Sequence, residues 1–255
     1  MSVKPHHDLE EHMRSRVVAV AAAIGCLAVI MTGWLTLTAA PSFHPAQYRD
    51  GSLPSLPPPT VVGGGEVMLE LDVTDGGVVR AVKALRTTPP FTDALTAAAK
   101  TWRFVPAQVE VESDGAVATP EGTRLKAVDS TVLVVAIFRP PTLNTPTLGE
   151  LARDVGSESD DTPFPITTVT PSYPLRALAG GLVFIETTID LNGRATENRV
   201  IRSSPPFDEA ALDSLRQWLF RPARVRGTGT PTLAYVVFGF RQPVTPLLPG
   251  ITPHR

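Results

Sequence analysis

The chain reads "RTTPPFTDALTAAAKTWRFVPAQV" from Arg86 to Val109 and "RSSPPFDEAALDSLRQWLFRPARV" from Arg202 to Val225. The two stretches lie 116 residues apart and keep Pro-Pro-Phe, Trp and Phe-x-Pro-Ala in register. Self-similarity at a fixed spacing marks a repeated structural unit, so it decides the architecture before any local pattern is read. At that offset the copies align without a gap from Gly65 and Gly181 to Val109 and Val225.

Upstream of each repeated stretch, "GEVMLELDVTDGG" from Gly65 matches "GLVFIETTIDLNG" from Gly181. Val67, Leu69, Leu71 and Val73 alternate with Glu70 and Asp72, and Val183, Ile185 and Ile189 alternate with Glu186, Thr188 and Asp190. Period-two alternation predicts a half-buried strand in each copy. Asp75-Gly76 and Asn192-Gly193 then predict tight hairpins, because these residues tolerate the positive φ of primed turns. A second strand is expected near Val78–Leu85 and Ala195–Arg202.

The repeated stretch itself predicts a helix. Thr87-Thr88 and Ser203-Ser204 offer capping hydroxyls, and the prolines suit a first turn. Phe91, Leu95, Ala98 and Trp102 share one helix face, as do Phe207, Ala211, Leu215 and Trp218. Each unit closes on a β-forming run, "STVLVVAIF" at Ser130–Phe138 and "TLAYVVFGF" at Thr232–Phe240, with about fourteen extra residues ahead of the first. The fold class expected is therefore α+β. An N-terminal transmembrane helix precedes two small β-β-α-β modules, each an antiparallel sheet with one helix packed on it.

Residues 17–40 contain no charge and are long enough to cross a bilayer core of about 30 Å. Arg14 and Arg16 flank the near end, which places the N-terminus in the cytoplasm and the rest outside it. The predicted layout is a cytoplasmic tail at 1–16, a membrane helix at 17–40 and a Pro-rich linker at 41–62. The first module follows at 63–141, a second linker at 142–168, the second module at 169–243 and a tail at 244–255.

Composition narrows the chemistry. The single cysteine, Cys26, lies in the apolar segment, and the five histidines all fall outside both modules. Ser-His, Cys-His and most zinc arrangements are thus absent from the repeats, so no enzyme, cofactor or metal is expected. A net charge of −2 argues against nucleic acid as a partner. Charge separates the copies, however: residues 63–141 carry eight basic against ten acidic side chains, and 169–243 carry nine against six. Arg224 and Arg226 belong to that basic set and are candidate contacts for an acidic partner.

The stretch "PSYPLRALAGGLVFIETTIDLNG" (Pro171–Gly193), followed by the Ser203–Val225 segment and "AYVVFGF", resembles the C-terminal domain of TonB-family energy transducers. Tyr173-Pro174, the Gly-Gly pair, the hairpin, the Ala-rich helix and W-x-F-x-P-A stand in family order. The first copy, from about Gly63 to Pro141, is similar but lacks the Pro-x-Tyr-Pro entry. The resemblance implies a protein of the cell inner membrane, with a cytoplasmic N-terminus and periplasmic modules. Its implied partners are ExbB/ExbD-like motor proteins and outer-membrane TonB-dependent receptors.

On that resemblance, the function expected is transmission of proton-motive energy by strand-addition binding of receptor peptides. The peptide-binding residues expected are Leu233, Ala234, Tyr235, Val236, Val237 and Phe238, on the assumption that the last strand is an edge. Pairing of that strand with a homodimer mate is the other reading. The segment 17–40 contains no histidine, which together with the duplication favours an alternative: a non-energised periplasmic peptide-binding scaffold.

Overall fold

The computed structural model describes residues 42–58, 61, 63–112, 123–141, 148–150 and 160–243. The predicted membrane helix at 17–40 lies outside them. Among the described residues no helix is long and apolar enough to cross a membrane. In chain order the elements are β1 (Phe43–His44), β2 (Gln47–Asp50), β3 (Gly65–Val73), β4 (Val79–Arg86), α1 (Phe91–Ala99) and β5 (Arg103–Val105). Next come β6 (Ala107–Glu112), β7 (Thr123–Val128), β8 (Ser130–Phe138), β9 (Leu148–Glu150) and β10 (Phe164–Val169). The second half comprises β11 (Gly181–Ile189), β12 (Ala195–Arg202), α2 (Asp208–Leu215), β13 (Leu219–Arg221), β14 (Arg224–Val225), β15 (Thr228–Gly229) and β16 (Thr232–Phe240).

The β-β-α-β succession appears in both halves, but the two small sheets are not separate. They merge into one six-stranded sheet of order β12-β11-β16-β8-β3-β4. Neighbours are antiparallel except at the centre, where β8 and β16 run parallel, with Val135 opposite Val236. Rows of side chains cross this seam without interruption. Met68 faces Val135, Val135 faces Val236, and Val236 faces Ile185. One residue further on, Leu69, Val134, Tyr235 and Glu186 form the next row, on the opposite face.

The two helices cover opposite faces. Phe91 and Leu95 of the first helix region share a core with Val67, Leu69, Leu71, Val132 and Val134, joined by Phe184, Tyr235 and Val237 from the second half. Phe207, Ala211 and Leu215 share the other core with Val183, Ile185, Val236 and Phe238, joined by Met68, Leu133, Val135 and Ile137 from the first. Equivalent strands that run parallel, with faces exchanged, are what a half-turn about an axis along the seam produces. The chain is thus an internal pseudo-dimer.

This arrangement corrects three expectations. The strands β3 and β11 are buried along almost their whole length, Glu70, Glu186 and Thr187 included, because each sheet half is covered on both faces. Residues read as linker form strands: β2 pairs with β5, and β10 pairs with both β13 and β9. The carbonyls of Ser52, just past β2, and of Val169, at the end of β10, accept the indole N–H of Trp102 (2.8 Å) and Trp218 (3.1 Å). Finally, the predicted hydroxyl caps do not form, since two prolines separate them from the first helical amides. Instead, the Asp208 carboxylate reaches back to the Ser204 N–H (2.7 Å), and Thr92 Oγ1 accepts the Thr88 N–H (2.8 Å).

The repeated Pro-Pro-Phe and the repeated glycines explain one another. Gly181 lies under the Phe207 ring, where an added Cβ would come within 2.6 Å of it, and Gly65 lies likewise under Phe91. Gly77 and Gly193 both hold φ +76° at the hairpin ends, and their carbonyls accept the N–H of Phe104 and Phe220 at 2.9 Å. A side chain at Gly193 would combine left-handed strain with a clash against the Phe220 carbonyl. Gly193→Ala is therefore expected to lower unfolding free energy by about 2–4 kcal/mol. Gly76→Ala, with only Thr74 Oγ1 nearby at 3.7 Å, should stay within about 0.5 kcal/mol. Chemical denaturation of both variants checks this.

Candidate functional site

The six candidate peptide-binding residues are not on an open edge. The strand β16 is antiparallel to β11 from Gly181↔Phe240 to Ile189↔Thr232, and parallel to β8 from Ala234↔Leu133 to Gly239↔Phe138. Ala234, Tyr235, Val236, Val237 and Phe238 are thus paired on both sides and fully buried. Leu233 pairs with Thr188 and is half-buried. A long apolar strand needs two neighbours or one, and residue types alone do not say which. Here the first half supplies the second neighbour from its own equivalent strand, so that edge expectation is corrected.

A peptide could reach that edge only if the seam opened. Seven side chains would then leave the core contributed by the other half: Met68, Leu133, Val135, Ile137, Phe184, Tyr235 and Val237. At about 1.5–3 kcal/mol each, burial at the seam is worth roughly 10–20 kcal/mol. Opening the seam would expose both cores at once.

Polar contacts join the halves as well. The Tyr235 hydroxyl accepts the N–H of Tyr48 (2.7 Å) and has Ala46 O and Glu186 Oε2 as acceptors for its proton, each at 3.0 Å. Glu186 Oε1 in turn accepts Arg199 Nε and Nη2 at 2.9 and 2.8 Å. The Tyr48 ring stands edge-on to Phe184 (5.0 Å) and Trp102 (5.4 Å), so β2 lies against the sheet of the second half. Burial, and next to it the Glu186 charge, push the Tyr235 hydroxyl far above its usual pKa. Across the axis the Thr168 hydroxyl donates to Glu66 Oε1 (2.8 Å), and Arg86 pairs with Glu66 (3.1 Å).

Two arginines that sequence reasoning passed over complete the junction. Arg139 follows β8 and Arg241 follows β16, at equivalent positions, and both are buried. Arg139 Nε donates to Pro171 O (2.9 Å), while Arg241 Nη1 donates to Gly63 O (2.7 Å) and Nη2 to Val61 O. Each half therefore grips the entry segment of the other. Burial lowers the pKa of both guanidinium groups from the usual arginine value. The signal was present in "FRP" and "FRQP" directly after the two closing strands.

Residues 169–241 match the family of Gram-negative bacterial TonB protein C-terminal domains. Residues 169–241 are thus a TonB C-terminal-like domain. The TonB domain runs from the end of β10 to just past β16, and the family is one of protein-interaction domains. No curated protein matches the chain.

Within the TonB domain, Arg224 and Arg226 sit on the β14–β15 hairpin with exposed side chains. Arg226 occupies the turn at φ +52° and borders a cleft of about 250 Å³ whose other walls include Asp72, Asp129 and Asp161. This places both arginines at one end of the sheet, apart from the centre of β16. Among the described residues no group of three or more His, Cys, Asp or Glu side chains is arranged to hold a metal ion.

The buried phenol makes a pH prediction. An unfolded tyrosine ionises near pH 10, whereas Tyr235 keeps its proton well above that in the fold. The folded state then binds more protons than the unfolded one, so stability falls as pH rises beyond about 10. Tyr48 and Tyr173 are raised too, by burial, and add to the same slope. Tyr235→Phe should lower stability by about 1–3 kcal/mol at pH 7, by orphaning the Tyr48 N–H and Glu186. It should also flatten, without abolishing, the loss between pH 9 and 11. Urea denaturation across that range tests both.

Proposed function

We propose that this chain is a TonB-family, membrane-anchored adaptor of the cell inner membrane. It carries proton-motive energy from an ExbB/ExbD-like motor to outer-membrane transporters, by engaging extended receptor peptides in the periplasm. The observation that carries the reading is the TonB domain at 169–241 in a chain whose residues 17–40 are uncharged and long enough to span a bilayer. Residues 63–141 are, in this reading, a diverged second copy of that domain, and their work is to complete the sheet. The mechanism needs no catalytic side chain, since force passes through backbone ladders.

A second reading is favoured by one observation each from sequence and structure. Residues 17–40 contain no histidine, and the central strand β16 is already paired on both sides. Both fit a non-energised periplasmic scaffold that binds peptides without pulling on them.

Transport separates the two. In cells lacking the chain, uptake of a receptor's cargo should fall at least tenfold and be restored by the full-length protein but not by residues 41–255 alone. Collapse of the proton gradient should abolish the restored uptake. Cargo uptake that is unchanged in the deletion strain, with the protein still co-purifying with periplasmic partners, establishes the scaffold instead.

A further inference from the structure

The cleft beside Arg226 has no part in the adaptor reading. It lies at the end of the sheet where the two parallel central strands begin, and both halves build it. Val109 and Val225, at matching positions of the two copies, line it, as do Ser130 and Thr232, the first residues of β8 and β16. Its volume of about 250 Å³ falls below the roughly 300–1,000 Å³ of sites for drug-sized ligands, so it suits a smaller molecule.

Polar groups at this cleft stand without partners. Thr232 is only 4% exposed, and its hydroxyl oxygen and that of Ser130 are both buried with no hydrogen-bond partner among the described residues. Native folds rarely leave a buried hydroxyl unpaired, because it has given up its water, so two at one cleft point to a group supplied from outside. Two charges of opposite sign join them. Asp72 is half-buried and Arg226 exposed, and neither has an ion-pair or hydrogen-bond partner among the described residues. The other charges on the walls are occupied: Arg80 and Asp129 hold each other at 2.8 Å, and Asp161 is engaged too.

The strand register sets the spacing. Asp72 lies opposite Thr131 on β8, and Thr232 stands two residues before Ala234, which faces Leu133. Asp72, Thr131 and Thr232 thus share a row on one face, and two strand spacings of about 4.8 Å put the ends of that row roughly 10 Å apart. We infer that the cleft is a binding site for a small zwitterion of about dipeptide size. Its ammonium end meets Asp72, its carboxylate end meets Arg226, and a polar middle such as an amide takes the hydroxyls of Thr232 and Ser130. The first half supplies the subsite for the cation and the second half that for the anion. Thr188 and Glu110 stand at the matching positions of the other copy, so the cleft has one polarity and takes its ligand in one direction. The site does not depend on whether the chain transmits energy.

The test titrates the dipeptide Ala-Ala into the full-length chain purified in detergent, read by isothermal calorimetry and by saturation-transfer NMR of the dipeptide. Wild type should bind with a dissociation constant below about 1 mM. N-acetyl-Ala-Ala-amide, which has the same middle but no charged ends, should not bind. Asp72→Asn and Arg226→Gln should each weaken binding about tenfold, through loss of one charge-assisted hydrogen bond. Thr232→Val keeps the shape and removes the hydroxyl, and should weaken it about fivefold. Arg194→Gln, outside the cleft, should leave affinity unchanged. Circular dichroism checks that each variant folds, and Arg226, exposed on its hairpin, remains decisive should Asp72→Asn unfold. No binding of Ala-Ala to wild type, equal binding of the capped probe, or undiminished affinity in either folded charge variant overturns the site.

Discussion

The parallel pairing of Ser130–Phe138 with Thr232–Phe240 is the constraint on which the rest depends. Parallel strands need covered faces, because they lack the one-sided tolerance of antiparallel hairpins. The half-turn relation meets that need: α1 with the first entry strand covers one face, and α2 with the second covers the other. Every cross-half contact follows from this. Tyr48 reaches Tyr235, Thr168 reaches Glu66, and Arg139 and Arg241 each hold the other half's incoming chain.

Much of the unit was legible in the sequence. The hairpins appeared where Asp75-Gly76 and Asn192-Gly193 placed them, although only Gly77 and Gly193 there hold a positive φ, so the turns are not of the primed type expected. The helices began just after Pro-Pro, and Trp102 and Trp218 were core residues that lie beyond the helix ends. These features are local: a turn's φ and a helix face are dictated by residues a few positions apart. The register between copies was legible for the same reason, since Gly181 must be small where Phe207 lies across it.

What could not be read was the association of the halves. "AYVVF" and "VLVVA" are equally suited to an edge, a centre or a dimer seam, because β propensity measures fit to a buried pleat and not the number of neighbours. The burial of Glu70 and Glu186 was hidden too, as alternation with carboxylates normally marks a wet face. Their partners lie on other strands: Arg199 and Tyr235 for Glu186. The proline-rich entry segments looked like spacers by composition, yet Tyr48 and Phe164 in them pack on the rings or guanidinium of the W-x-F-x strand that follows.

Joining the two halves in one polypeptide has a consequence for concentration. Two separate chains meeting at such a seam would assemble and fall apart with dilution, and their stability would track how much protein the cell makes. Tethering replaces that dependence with a fixed effective concentration, set by the chain between Arg139 and Thr232. The sheet therefore persists at a single copy. Each copy also presents two outer strands that are free to diverge, since a change in one is not imposed on its twin as it would be in a symmetric homodimer. Arg80 of β4 pairs with Asp129, whereas the equivalent position of β12 is Thr196, and that difference is the freedom written in side chains.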